Sequence, residues 1–180
     1  YFAELMTAVG DEARCADLLP VIYDPAIFPA RKDMHADDIV AASAVNFYES
    51  VTRAEVESLY AGMMDPSDKT PVSYGLNSRV VKGDDGIVRE EVYKVGGLYG
   101  NALKMICKEL KKAAKYAENA TQKDYIADLI AYYQTGDLKL WDKYNIQWVN
   151  DTLGVVDFVN GFVEDYNDPL GRKATWEGLV

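Results

Sequence analysis

The sequence predicts a mostly helical α+β fold with a few antiparallel strands, and three observations point there. Apolar residues recur every three to four positions along most of the chain. Between residues 72 and 95 the period drops to two around the turn Gly83-Asp-Asp-Gly86. A second β-branched and aromatic run, residues 155–166, precedes Asn167-Asp168-Pro169-Leu170-Gly171, a sequence suited to reversing the chain. A length of 180 residues fits one domain with one sizeable core, so residues 1–180 are expected to form a single unit.

Taken in order, Leu5, Val9 and Ala13 have helical spacing within residues 2–19, although Gly10 weakens that helix. Pro20, Pro25 and Pro29 predict irregular structure next, because proline cannot donate a backbone hydrogen bond. Asp37-Asp38 offers an acidic helix start, with Val40, Ala44, Phe47 and Val51 on one stripe. Thr52-Arg-Ala-Glu55 is a capping box, in which each side chain satisfies the other residue's free amide. It opens a helix bearing Val56, Leu59, Tyr60 and Met63, which Asp65-Pro66 closes.

Ser78–Lys82 and residues 87–95 then pair as a hairpin, since Asp85-Gly86 supplies the positive φ angles of a tight turn. Gly96-Gly97 breaks it. A long helix over residues 98–118 follows, burying Leu103, Ile106, Leu110, Ala113 and Ala117. Thr121 caps the next helix, which carries Ile126, Leu129, Ile130 and Tyr133 and ends at Gly136. Asp137 caps another, with Leu138, Trp141, Tyr144 and Trp148. Most of the aromatic residues here sit at core spacing, so packing is their default role.

The net charge of −10 repels a phosphate backbone and argues against nucleic acid as a partner. The basic cluster Lys104, Lys108, Lys111, Lys112 and Lys115 reads as the solvated face of one helix. No apolar run approaches the roughly 18 residues that span a bilayer, so no membrane is expected. Cys15 and Cys107 sit far apart among apolar neighbours and read as buried free thiols. His35 is the sole histidine, so the chain cannot assemble a zinc site of several His or Cys ligands. A Ser-His-Asp machine would need His35 as its base and is disfavoured. With Tyr1 first and Leu179-Val180 last, both ends look cut, and a missing leader says nothing about export. The compartment stays open, with the cytoplasm favoured.

The chemistry concentrates near the end of the chain. Read as a strand, Phe162, Glu164 and Tyr166 share one face. After the reversal, a second extended run from about Ala174 sets Thr175 and Glu177 on one face and Trp176 on the other. Such a hairpin is expected to return Glu177 beside Glu164. On composition alone, a solvated surface hairpin is the default reading. Asp165, Asn167 and Asp168 hint at a calcium loop, but Pro169 stands where that loop needs a ligand. The acidic field favours cationic ligands, such as peptides with free amino termini.

Gly161-Phe-Val-Glu-Asp-Tyr-Asn-Asp-Pro-Leu-Gly171, followed by Trp176-Glu-Gly178, closely resembles the dipeptidyl peptidase III family of zinc exopeptidases. Its pattern there is G-F-[IV]-E-x-Y-x-D-P-x-G leading into an aromatic-Glu-Gly sequence. Gly75-Leu-Asn-Ser-Arg79, Ala114-Lys-Tyr-Ala-Glu-Asn119, Tyr132-Tyr-Gln-Thr-Gly136 and Gln147-Trp148 resemble family segments in the same order. The resemblance covers residues 73–180 and, more faintly, the first 70.

The resemblance implies a two-lobed enzyme with a cleft, whose zinc is held by an H-E-x-x-x-H helix and a later E-E-x-R-A glutamate. Neither motif occurs here. The chain therefore resembles part of the other, lower lobe, which contains a β-barrel core. By the resemblance, Tyr166 is catalytic, donating a hydrogen bond to the oxyanion formed as zinc-bound water attacks. Glu164 and Glu177 are substrate-binding and hold the free α-ammonium, so that dipeptides are released. Zinc is the cofactor of the full-length enzyme, with none bound by this fragment. The partners are an oligopeptide with a free N-terminus and the zinc-binding lobe of the same chain. Asp165 departs from the family, where a small hydroxyl residue is usual. Without the zinc lobe, the fragment is expected to be inactive.

The competing reading is a non-catalytic helical domain that binds peptide N-termini. Continuation of the reading frame into H-E-x-x-x-H separates the two.

Overall fold

The computed structural model describes residues 2–24 and 26–180, the side chains of residues 2, 3 and 5 excepted. The roles expected of Pro25 and of the Leu5 side chain lie outside the described residues. Among them are seven helices and five strands, the mixed α+β content that the periodicities predict.

The expected N-terminal helix is two. α1 (Phe2–Val9) stops at Gly10, whose φ of +68° suits glycine. Asp11 then caps α2 (Glu12–Tyr23), its carboxylate accepting from the Arg14 amide at 3.0 Å. Pro20 does not open irregular structure but sits inside α2, which runs on to Tyr23. The Asp24 amide donates to the Pro20 carbonyl at 2.8 Å and so holds the last turn.

The stripe expected from Val40 to Val51 is also divided. Asp38 caps α3 (Ile39–Ala42), but Ser43 Oγ donates to the Ile39 carbonyl at 2.6 Å and the helix ends after one turn. Val40, Phe47 and Val51 are buried as predicted, though from separate elements, and Ala44 is exposed. The capping box is present. Thr52 Oγ1 accepts from the Glu55 amide, and Glu55 Oε2 accepts from the Thr52 amide at 2.9 Å. α4 (Arg53–Met63) follows and buries Val56 and Tyr60 completely.

β2 (Ser78–Lys82) and β3 (Val88–Val92) form the predicted hairpin, with Gly86 alone of the turn residues at positive φ. β1 (Tyr48–Glu49) adds to the other edge of β2 in parallel, Tyr48 opposite Val80. Two residues are too few to leave a periodic trace.

α5 (Gly100–Ala113) buries Leu103, Cys107 and Leu110, while Ala113 is exposed, against expectation. Its lysines are all exposed. Asn119, rather than Thr121, caps α6 (Ala120–Thr135), its side chain accepting from the Gln122 amide at 2.8 Å. Gly136 ends α6 at φ +77°, and Asp137 caps α7 (Leu138–Asn150), both as predicted. α6 packs against both α5 and α7.

In place of one core there are two apolar clusters. The larger includes Leu103, Tyr125, Leu129, Tyr133, Trp141 and Phe162. The smaller holds Ile39, Val40, Val51, Val56, Tyr60 and Val80. An antiparallel hairpin of β4 (Val159–Glu164) and β5 (Thr175–Leu179) packs on the larger. Its connection reaches both clusters: Leu170 packs on the smaller and Ala174 belongs to the larger. Among the described residues no helix is long and apolar enough to cross a membrane.

Candidate functional site

The terminal hairpin is fixed to the helices by shape and by hydrogen bonds. A Cβ on Gly161 would lie 2.2 Å from the Trp141 ring, so only glycine lets β4 approach α7 this closely. Phe162 faces the other way, with its ring 5.1 Å from that of Tyr93. Tyr133 joins both strands to α6, its hydroxyl donating to Asn160 Oδ1 at 2.6 Å and accepting from Trp176 Nε1 at 2.9 Å.

The pairing register decides which face each carboxylate takes. Gly161 opposes Glu177 and Phe162 opposes Trp176, but the next pair is Glu164 with Thr175. Val163 is the extra residue of a β-bulge. An unbroken ladder would have set Glu164 opposite Ala174, on the face of Phe162 and Trp176. The bulge sets it on the face of Thr175, and therefore of Glu177 two residues along β5. Thr175 Oγ1 donates to the Glu164 carbonyl at 3.2 Å across this irregularity.

The expectation that Phe162, Glu164 and Tyr166 alternate onto one face is thus corrected. Phe162 is 4% exposed on the core side, and the bulge separates it from Glu164. Tyr166 lies beyond the strand, in a turn closed by the Asp168 amide on the Asp165 carbonyl at 2.9 Å. The residue is 63% exposed, and its carbonyl accepts from Lys32 Nζ at 3.2 Å. Glu164 and Glu177 are half-buried on a shared face, and Tyr166 projects from the turn that continues β4.

Beneath that turn lies a polar cluster that sequence reasoning missed. Asp168 has no exposed surface, and its Oδ2 accepts from Tyr48 Oη at 2.9 Å and from the amides of Arg172 and Lys173 at 2.7 and 2.9 Å. Lys173 is equally buried. Its ammonium donates to Tyr60 Oη and, at 2.9 Å, to Ser78 Oγ, with Glu90 Oε1 3.7 Å away. Tyr60 and Ser78 in turn donate to Glu90 Oε1 at 2.7 and 2.5 Å. Burial, and then Glu90, push the Tyr60 phenol well above its usual range. Burial also lowers the Lys173 ammonium to about 8, against the opposing pull of Glu90 and Asp168. Asp168 beside Pro169 reads as turn chemistry in sequence. Nothing in the local sequence signals its burial, because the groups that bond it and its neighbour Lys173 come from distant elements.

His35 lies on an exposed loop, its amide donating to Asp33 Oδ1 at 3.0 Å. Among the described residues no group of three or more His, Cys, Asp or Glu side chains could hold a metal ion. The described residues therefore offer no set of zinc ligands. The hairpin also borders an apolar cavity of about 360 Å³ between Phe47, Tyr93, Tyr99, Phe162, Thr175 and Trp176, with neither acid in its lining.

The sequence profile of peptidase family M49 matches residues 75–180, more than half of the chain and the whole of this hairpin. The chain is 31% identical over 84 residues to human dipeptidyl peptidase 3, which is 47% of this chain and 11% of that protein. It is 31% identical over 91 residues to dipeptidyl peptidase 3 of Dictyostelium discoideum, 49% of this chain and 13% of that protein. The chain thus spans little more than a tenth of the length of the curated relatives it matches. Among solved structures, dipeptidyl-peptidase III from Corallococcus sp. strain EGB superposes with a TM-score of 0.56 at 25% identity, covering 74% of this chain and 24% of that one. DPP III from Caldithrix abyssi superposes with a TM-score of 0.57 at 25% identity, with the same coverage.

Proposed function

The chain belongs to peptidase family M49, and we propose that it forms the substrate-binding portion of a dipeptidyl peptidase III-like enzyme that releases dipeptides from peptide N-termini. One observation carries this reading: the bulge at Val163 turns Glu164 onto the face of Glu177, at the foot of the turn bearing Tyr166. Two carboxylates on one face suit a peptide's α-ammonium, which offers three donors. Each charge-assisted bond contributes about 1.5–3 kcal/mol. Holding the ammonium at a set distance from the bond to be broken fixes the length of the product. The Tyr166 hydroxyl donates to the carbonyl oxygen of that bond as it gains negative charge, an interaction stronger in the transition state than in the bound substrate.

In this reading the hydrolytic machinery belongs to the rest of the enzyme and this chain contributes binding groups. The chain by itself binds peptides without cleaving them. The test is Glu164→Gln in the complete enzyme. KM for a free-amine peptide rises about 10- to 100-fold while kcat changes little. An unchanged KM would refute the role given to the hairpin.

A further inference from the structure

We propose that Lys173 is the positioning residue of this hairpin: its buried ammonium, gripped by Tyr60, Ser78 and Glu90, holds the connection between Tyr166 and Glu177 onto the three-stranded sheet. The geometry is one-sided. Residues 165–174 link two strands of the terminal hairpin, yet apart from the bonds within the loop their buried polar side chains contact other elements. Tyr60 lies on α4, Ser78 on β2, Glu90 on β3, and Tyr48, which donates to Asp168, on β1. The connection also touches both apolar clusters through Leu170 and Ala174. The Ala174 amide donates to the Leu76 carbonyl at 3.0 Å. Gly75, at φ +99°, lets the chain pass beside this point, since a Cβ there would lie 2.8 Å from Tyr60 Oη and 3.1 Å from Lys173 Nζ. Every strand of the three-stranded sheet thus meets the loop at one ammonium or at its neighbouring carboxylate.

The charged and titratable groups facing Lys173 are Glu90, Asp168, Arg172 and Tyr60. Two carboxylates attract the ammonium, and Arg172 opposes it from above the Tyr60 ring, 5.0 Å from its centroid. Burial outweighs this attraction, so the held lysine loses its proton near pH 8 rather than near 10.5. Opening the connection returns Lys173 to water, where it binds a proton more tightly. The open state therefore holds more protons, and opening becomes rarer as pH rises through 8 toward 10.5. The clamp is therefore looser at neutral pH, where the charge is buried at a cost, and tightens on the alkaline side, where the neutral amine keeps Tyr60 and Ser78 as hydrogen-bond partners.

The role in positioning substrate-binding groups rests on the function proposed above; the clamp itself does not. The test therefore begins without peptide, on the full-length protein. Amide hydrogen exchange of residues 165–177, corrected for the intrinsic base-catalysed rate, reads the opening directly. Between pH 6.5 and 9 the opening constant of the wild type falls about tenfold. In Lys173→Met this pH dependence disappears, and exchange of 165–177 at pH 7 no longer tracks that of the wild type, while α6 and α7 are unaffected. Glu90→Gln, which keeps the lysine but removes an attracting charge, shifts the pH step to lower values and serves if Lys173→Met folds poorly. A wild-type profile without the step, or one unaltered in both variants, overturns the clamp. For positioning, Lys173→Met changes both kcat and KM for free-amine peptides in the complete enzyme. Unaltered kinetics alongside altered exchange overturn that role. Failure of the functional reading shows separately, as an unchanged KM in Glu164→Gln.

Discussion

Gly161→Ala tests the packing that presents the acidic hairpin. The added Cβ would lie 2.2 and 2.4 Å from two carbons of the Trp141 six-membered ring. Carbon atoms pack at about 3.5–4.0 Å, so strand and ring must part by more than ~1 Å. Trp141 has little room to retreat, with the Tyr132 and Tyr144 rings at 5.1 and 5.3 Å. Overpacking of this kind costs about 1–3 kcal/mol, and the near-absence of slack places this site toward 3. Alanine's lower backbone entropy in a strand returns about 0.5–1 kcal/mol, leaving a net loss of about 2 kcal/mol. For a chain of this size that lowers Tm by about 4–8 °C. Thermal unfolding followed by far-ultraviolet circular dichroism measures it. The same substitution in a Trp141→Phe background separates close approach from strand propensity, because phenylalanine lacks the two offending atoms and the penalty largely vanishes there. Gly161→Ala melting at or above the wild-type temperature would refute the reasoning, and so would an equal penalty in both backgrounds.

Two further outcomes follow from named contacts. Tyr166→Phe in the complete enzyme lowers kcat about 100- to 1,000-fold and moves KM little, because the lost bond matters in the transition state; an equal loss in binding a ground-state inhibitor would contradict this. Asp168→Ala strands the Tyr48 hydroxyl and two backbone amides beneath the turn, lowering stability by about 3–5 kcal/mol in urea unfolding, whereas Asp168→Asn keeps an accepting oxygen and costs less. Equal losses in the two variants would show that these hydrogen bonds do not hold the turn.

Local signals were legible where one short stretch decides the structure. The Thr52–Glu55 capping box, the Gly136 helix end and the Asp137 cap formed as their residues imply, and the Gly83–Gly86 turn did so with positive φ at Gly86 but not at Asp85. Signals failed where a side chain could act in two ways. Thr121 looks like a cap, but Asn119 reaches the Gln122 amide first, and Ser43 cuts a promising stripe to one turn by bonding to Ile39. Pro20 was compatible with the helix it was expected to end. At the site, residue identities were readable but faces were not. Strict alternation puts Glu164 with Phe162, and only the pairing partner across the hairpin reveals the bulge. Lys173 is the extreme case, since its surroundings come from α4, β2 and β3, at least 83 positions distant along the chain. No window of neighbouring residues contains that information.

The most direct test of the proposed ammonium site is calorimetric titration of the protein with a short peptide and with the same peptide N-acetylated. Acetylation removes the charge and two of the three donors while leaving the side chains intact. Binding through Glu164 and Glu177 predicts a Kd at least about 100-fold weaker for the acetylated form. Equal Kd values for the two peptides would contradict the assignment of these carboxylates to the peptide N-terminus.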